Sequence, residues 1–158
     1  MRIRAAKFDD LEKIKELCVR NNLKVKKINK EVWRNFPNFN DFENIPIGWV
    51  IESNEGNIVG VILNLFMNYI LNDKTYKASV VSTWAVDNNY RSESMNLIFK
   101  WIYQKNVDLL VFDINSESTL NFEKFFNFFL SFFKPIDSHV SVITTSALLT
   151  ALAGSSTS

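Results

Sequence analysis

The sequence predicts an α/β (α+β) protein with a mixed, mostly antiparallel central sheet and helices on both faces. Apolar runs of strand length, bounded by turns rich in Asn, Asp and Gly, recur in the middle of the chain. Apolar residues at helical spacing precede and follow these runs. One succession of strand, helix and strand, between residues 76 and 115, predicts a right-handed crossover that joins two parallel strands.

Length and composition predict one self-sufficient domain. The chain has 158 residues, of which 47% are hydrophobic and 22% charged, so it can bury a core of its own. The net charge of +1 gives no indication of a nucleic-acid partner. The single cysteine, Cys18, excludes an intrachain disulfide and a cysteine-based metal cluster. The sequence lacks a signal-peptide core and any apolar run of membrane-spanning length, so we expect a cytoplasmic protein with no transmembrane segment and no metal.

The N-terminal segment predicts a short strand at residues 2–6 and then an amphipathic helix. Asp9 or Asp10 is predicted to cap that helix, and Asp9 with Glu12 three residues on has the spacing of a capping box. Its buried stripe is predicted to consist of Leu11, Ile14, Leu17 and Cys18. A second, short helix is predicted to place Val32, Trp33 and Phe36 inward.

Two hairpin turns separate the predicted central strands. Residues 47–52 form one strand, and a turn at residues 54–57, containing Gly56, leads into a long strand from Ile58 to about Leu71. Gly60 lies within that strand and predicts a bulge or a close approach of another group. A second turn at residues 72–74 leads into a strand that ends at Val86.

The crossover between residues 76 and 115 predicts an anion site. A turn at residues 87–89 follows the first strand, and a helix is predicted to begin near Ser92. The first turn of a helix leaves unpaired backbone N–H groups and the positive end of its dipole at the carboxyl end of the strand. This arrangement suits phosphate. The alternative is a helix end without a ligand, because every unit of this kind has such an end and most bind nothing. A second strand is predicted at residues 107–112.

The C-terminal part changes character twice. Residues 120–133 predict a helix with Phe on almost every side, which is typical of a buried helix or an interface. Residues 138–158 contain no Lys, Arg, Asp or Glu and are rich in Ser, Thr and Ala. We therefore expect one domain over residues 1–137 and an atypical C-terminal segment over residues 138–158, with a strand at residues 140–145. We also expect the C-terminus to be truncated or altered.

The order of these elements resembles the GNAT superfamily, which has the acyl-CoA N-acyltransferase fold. The resemblance covers residues 1–133 and rests on IRAAKFDDLEKIKEL, IGWVIESNEGNIVGVIL, VSTWAVDNNYRSES and VDLLVFDINSES. The chain is similar to a divergent branch of bacterial members. The resemblance implies acetyl-CoA or another acyl-CoA as co-substrate, and direct acyl transfer to an amine or a sugar-linked acceptor.

The resemblance also implies a set of cofactor-binding residues. Arg91 takes the first place of the family's phosphate turn, and Ser94 and Asn96 stand in its two glycine places. Backbone amides of this turn would bind the pyrophosphate, and the edge of the preceding strand would pair with the pantetheine arm. The residues implied are Trp84, Ala85, Val86, Arg91, Ser92, Glu93, Ser94, Met95, Asn96 and Asn115.

Proton transfer has less support from the sequence. Asp113, near the end of the fifth strand, is a candidate general base, and a solvated strand-end carboxylate is the alternative. Tyr90 and Ser82 are further candidates. Phe122 stands where the resemblance implies a Tyr that protonates the leaving thiolate, and Phe has no proton to give.

Two hypotheses of different class follow. The first is an acyl-CoA-dependent acyltransferase, in which an amide near Val86 would stabilise the oxyanion. The second is a non-catalytic GNAT-like binding or assembly module that uses the Phe-rich helix as an interface, for example in a homodimer. The lost glycines and the missing Tyr favour the second hypothesis, so the sequence leaves enzymatic activity open.

Overall fold

The computed structural model describes residues 1–23, 31, 44–112 and 141–144, and six strands form one sheet within them. The strands lie in sequence order: β1 (Arg2–Ala5), β2 (Gly48–Glu52), β3 (Ile58–Leu71), β4 (Lys74–Val86), β5 (Leu109–Phe112) and β6 (Ser141–Thr144). The first three pairings are antiparallel, and β4–β5 and β5–β6 are parallel. The predicted mixed, mostly antiparallel sheet is confirmed, although a second parallel pairing follows the one expected.

Helices pack on both faces of the sheet, as predicted. The buried residues of helix α1 (Leu11–Arg20) belong to one hydrophobic cluster, and those of helix α2 (Ser94–Ile102) belong to the other. Alternation along the strands divides the core, because successive side chains point to opposite faces. Val50 and Val61 lie under α1, whereas their neighbours Ile51 and Ile62 lie under α2.

The predicted turns and the bounds of β3 agree with the structure. Gly56 in the β2–β3 turn has φ of 80°, a value that favours glycine. Asn72 and Asp73 both have positive φ and form the two-residue turn before β4. Gly60 lies against Ile51, and the ladder between β2 and β3 shifts register beside it, so the expected close approach is confirmed.

The start of α1 differs from the prediction. A single 3-10 turn (Phe8–Asp10) precedes the helix, and the Asp10 carboxylate accepts the N–H of Lys7 at 2.8 Å. The same carboxylate accepts two bonds from the Arg4 guanidinium, at 2.7 and 2.8 Å. The predicted capping box of Asp9 and Glu12 is therefore wrong, and Glu12 pairs with Lys15 at 2.6 Å instead.

Several predictions concern residues outside the described ranges. These are the short helix around residues 32–36, the Phe-rich helix at 120–133, and the side chains of Asp113 and Asn115. The predicted strand at residues 140–145 is confirmed as β6, which pairs with β5 although it lies in the atypical C-terminal segment. Over the described ranges, no helix has both the length and the apolar character needed to cross a membrane.

Candidate functional site

A bulge in β4 lies close to the end of its ladder with β5. Leu63 pairs with Thr83 and Asn64 pairs with Val81, so Ser82 is an extra residue with no partner position on β3. A bulge bends its strand and increases the local twist. The described parallel ladder between β4 and β5 ends at Val80, before the bulge and before the end of β4 at Val86.

The peptide groups of Trp84 and Val86 lie on the side of β4 away from β3. The N–H of Asp87 donates to Val59 O at 2.9 Å across the β3–β4 ladder. In an antiparallel ladder, successive residues direct their N–H and C=O groups to opposite sides of the strand. The peptide groups of Val86 and Trp84 therefore point away from β3, and an extended ligand on that side of the strand could pair with Val86.

The turn after β4 is wound more tightly than predicted. A 3-10 segment (Asn88–Glu93) comes first and α2 begins at Ser94, two residues later than expected. The N–H of Tyr90 donates to Asp87 O at 2.8 Å, and the N–H of Ser94 donates to Arg91 O. The Ser94 amide, which the resemblance assigned to pyrophosphate, therefore already has a partner within the turn.

An open cleft of about 420 Å³ lies where the β4 edge meets this turn. One wall comes from β4 and from the head of α2, and the other comes from the end of α1. The lining residues are Asn21, Leu23, Trp84, Ala85, Val86, Arg91 and Ser94. Five of the ten cofactor-binding residues implied by the resemblance are thus brought together. Arg91 and the N-terminal end of the α2 dipole both favour an anionic ligand at this cleft.

Four other residues of the predicted set do not line the cleft. Ser92 and Asn96 are exposed, and the Asn96 amide donates to Glu93 Oε2 at 2.7 Å. Met95 packs against the core cluster under α2. Asn96 therefore does not obstruct the cleft, although it is bulkier than the glycine it replaces.

The proton-transfer candidates lie apart from the cleft or outside the described ranges. Tyr90 is half-buried and lines a second cavity of about 350 Å³, which also contains Lys13, Glu16, Arg20 and Glu55. Ser82 is exposed at the bulge, and its Oγ donates to Leu63 O at 3.3 Å. Asp113 lies outside the described residues. Catalytic roles for these side chains stay predictions.

Sequence reasoning missed the contact that joins the two walls of the cleft. The Asp87 carboxylate accepts Arg20 Nε at 3.0 Å and Arg20 Nη2 at 2.8 Å, and it accepts the Asn21 amide at 2.8 Å. The sequence identifies Asp87 only as a turn residue and Asn21 only as the end of a helix. No local pattern indicates a contact between residues 67 positions apart.

Comparison with known proteins gives structural matches only. No protein-family model and no curated protein matches the sequence. An acetyltransferase from Trypanosoma brucei is 18% identical, with a TM-score of 0.51 over 79% of this chain and 89% of the other. A transcriptional regulator from Bacillus halodurans C-125 is 16% identical, with a TM-score of 0.52 over 89% and 97%. A candidate acetyltransferase from Agrobacterium tumefaciens str. C58 is 13% identical, with a TM-score of 0.52 over 90% and 99%.

These matches establish the fold. The chain has the acyl-CoA N-acyltransferase fold, at identities of 13–18% to these structures. The structures with this fold include proteins described as acetyltransferases and one described as a transcriptional regulator. Activity therefore has to be argued from the site, because one fold hosts several functions.

Proposed function

We propose that this protein transfers an acyl group from acetyl-CoA or another acyl-CoA to an amine or a sugar-linked acceptor. The observation that supports this proposal is the cleft at the end of β4. It combines the outward peptide group of Val86, at the end of β4, with a cation, Arg91, beside the N-terminus of α2. An acyl-CoA has the matching parts in the same order, namely an amide-containing arm and a diphosphate.

Each part of the cofactor has a complementary feature in the cleft. An N–H of the pantetheine arm can donate to the outward C=O of Val86, as in an added strand. The diphosphate then lies near Arg91, the Ser94 hydroxyl and the positive end of the α2 dipole. In this arrangement the N–H of Val86 can stabilise a developing oxyanion.

The proposed reaction is direct transfer. The acceptor nitrogen or oxygen attacks the thioester carbonyl carbon, and the tetrahedral oxyanion collapses with breakage of the carbon–sulfur bond. Coenzyme A leaves as the thiol or thiolate, and the acceptor loses one proton to a base. Asp113 and Tyr90 stay the predicted candidates for that base. No covalent enzyme intermediate is required.

Isothermal titration with acetyl-CoA tests the proposal. Replacing Arg91 with Met removes the charge that faces the diphosphate, and hydrogen bonds to charged groups are worth about 1.5–3 kcal/mol. We therefore expect Arg91→Met to weaken binding roughly ten- to a hundredfold. Lys100→Met is the matched control, since Lys100 is an exposed cation in the last turn of α2, the helix that follows Arg91. An absence of heat and of any thermal shift at millimolar acetyl-CoA contradicts the proposal.

One observation supports a second candidate function, a non-catalytic module of the same fold. The Ser94 N–H is already bonded to Arg91 O, and the turn contains no glycine that lets a phosphate approach the backbone closely. Such a module would act by binding or self-assembly through the Phe-rich segment at residues 120–133, which the sequence predicts to be a helix. Sedimentation combined with a thiol-release assay distinguishes the two, because a strictly monomeric protein that releases coenzyme A contradicts the module.

A further inference from the structure

We infer that Asp87 is a positioning residue, which fastens the diphosphate-binding turn to the end of α1 and so holds the two walls of the cleft together. This inference rests on the proposed function. It assigns a role to a pair of residues, Arg20 and Asp87, that neither binds the cofactor directly nor takes part in proton transfer.

The geometry around Asp87 supports this role. Its carboxylate receives Arg20 Nε at 3.0 Å on both oxygens and Arg20 Nη2 at 2.8 Å. Arg20 also donates to Ile58 O at the start of β3. The planar guanidinium with several fixed N–H donors suits such a multidentate contact better than a lysine would. The last residue of α1 is thus bonded both to the turn and to the sheet.

The backbone of Asp87 fixes the other side of the same junction. Its N–H donates to Val59 O at 2.9 Å, and its C=O accepts the N–H of Tyr90 at 2.8 Å. Its side chain also accepts the amide of Asn21, which lines the cleft. One residue therefore connects β3, the 3-10 turn that carries Arg91, and the α1 wall of the cleft.

Charge gives Arg20 a second role at this position. Asp87 lies at the head of the turn that is proposed to receive a diphosphate, and an uncompensated carboxylate there would repel the ligand. The adjoining cavity contains Lys13, Glu16 and Glu55 as its other charged groups, and Lys13 donates to Gly56 O at 3.2 Å. Arg20 is the cation that contacts Asp87 among the described residues.

Exposure predicts which measurement will respond. The side chains of Arg20 and Asp87 are 42% and 23% exposed, and exposed ion pairs add only about 0–1 kcal/mol to folding stability. Loss of the pair should therefore alter the arrangement of the turn more than the stability of the fold. Ligand binding is the sensitive readout, and the unfolding temperature should change little.

The experiment compares three ligands by isothermal titration: coenzyme A, ADP as a diphosphate probe, and pantetheine as a probe that lacks the diphosphate. The variants are Arg20→Met, Asp87→Ala and the double variant. Arg2→Met is the matched control, because Arg2 forms an exposed ion pair with Glu52 and lies on β1, three strands from β4 in the sheet order. We expect both single variants to weaken the binding of coenzyme A and of ADP about tenfold, which corresponds to ~1.4 kcal/mol of binding free energy.

The pattern of the losses decides the result. Pantetheine should bind all variants as it binds the wild-type protein. The double variant should bind coenzyme A no more weakly than the weaker-binding of the two single variants, because the two side chains act as one unit. Wild-type affinity for coenzyme A in the single variants overturns the positioning role alone. Equal losses for ADP and pantetheine, or the same loss in Arg2→Met, also overturn it. If the wild-type protein binds none of the three ligands, the positioning role and the proposed function both fail.

Discussion

Replacing Asp10 with Asn is expected to destabilise the protein by about 2 kcal/mol, because a nearly buried carboxylate then loses its charged partner. Asp10 is 8% exposed and joins β1 to the start of α1. The Asn side chain has the same shape and can still accept the Lys7 N–H. It cannot accept both N–H groups of Arg4, since one of its two terminal atoms is itself a donor.

The magnitude follows from the bonds that are lost. Asp10 accepts Arg4 Nη1 at 2.7 Å and Nη2 at 2.8 Å, which is a bidentate arrangement. Hydrogen bonds to charged groups contribute about 1.5–3 kcal/mol, and Arg4 keeps a second partner in Glu52, which reduces the loss. In a domain of this size, about 2 kcal/mol corresponds to a fall in Tm of roughly 4–8 °C.

The sign of the pH dependence follows from the pKa of Asp10. Hydrogen bonding from Arg4 is the main cause that lowers this pKa below its usual value, and burial opposes it. A carboxyl whose pKa is lower in the folded state stabilises the fold above its unfolded pKa of about 3.9. That stability is lost as the pH falls from there through the folded pKa. The difference between wild type and Asp10→Asn should therefore be complete at neutral pH and shrink below about pH 4.

Thermal and urea unfolding at pH 7 and at pH 3 measure both effects. Asp9→Asn is the control, because Asp9 is the neighbouring carboxylate and is exposed. The unfolding free energy of Asp9→Asn should lie within about 0.5 kcal/mol of the wild-type value. The reasoning is refuted if Asp9→Asn and Asp10→Asn unfold at the same temperature, or if the loss in Asp10→Asn is as large at pH 3 as at pH 7.

Three further predictions concern the core and one turn. Gly60→Ala places a Cβ 2.5 Å from Ile51 Cδ1 in a fully buried region, so it should lower the unfolding free energy by about 1–3 kcal/mol. Adding Ile51→Val should recover part of that free energy in a double-mutant cycle measured by urea unfolding. Ile14→Ala removes a side chain that is 0% exposed under α1 and should cost about 2–5 kcal/mol in the same assay. Asn106 has φ of 67°, so Asn106→Val should lower the unfolding free energy by about 1–2 kcal/mol, whereas Asn106→Gly should not.

The turns and the strand bounds can be predicted from short sequence patterns, because the residues concerned determine their own backbone conformation. The bounds of β3 agree with the structure, since Gly56 and the Asn72–Asp73 pair adopt the positive φ that ends each strand. Likewise Asn106, with positive φ, lies between α2 and β5. These residues restrict their own backbone, so a reader of the sequence can find them without knowing any distant contact.

The features that shape the site are not local in this way. The bulge at Ser82 depends on the register between β3 and β4, and no residue in VVSTWAV is unusual for a regular strand. The contact of Asp87 with Arg20 requires α1 and the β4–α2 turn to meet in space. Alternation and helical spacing predict which face of an element is buried, but they do not predict which polar side chains of distant elements will pair.

The two substituted glycine places of the phosphate turn also have different consequences in the structure. Ser94 lines the cleft, so its extra atoms take up space near the proposed diphosphate and also provide a hydroxyl donor. Asn96 is exposed, does not line the cleft, and is bonded to Glu93. Only the first departure therefore bears on how closely a phosphate can approach. If the protein binds acyl-CoA, Ser94→Gly should change the affinity for it. Asn96→Gly should leave that affinity within about twofold of wild type, because the Asn96 side chain should contribute less than about 0.5 kcal/mol to the binding free energy.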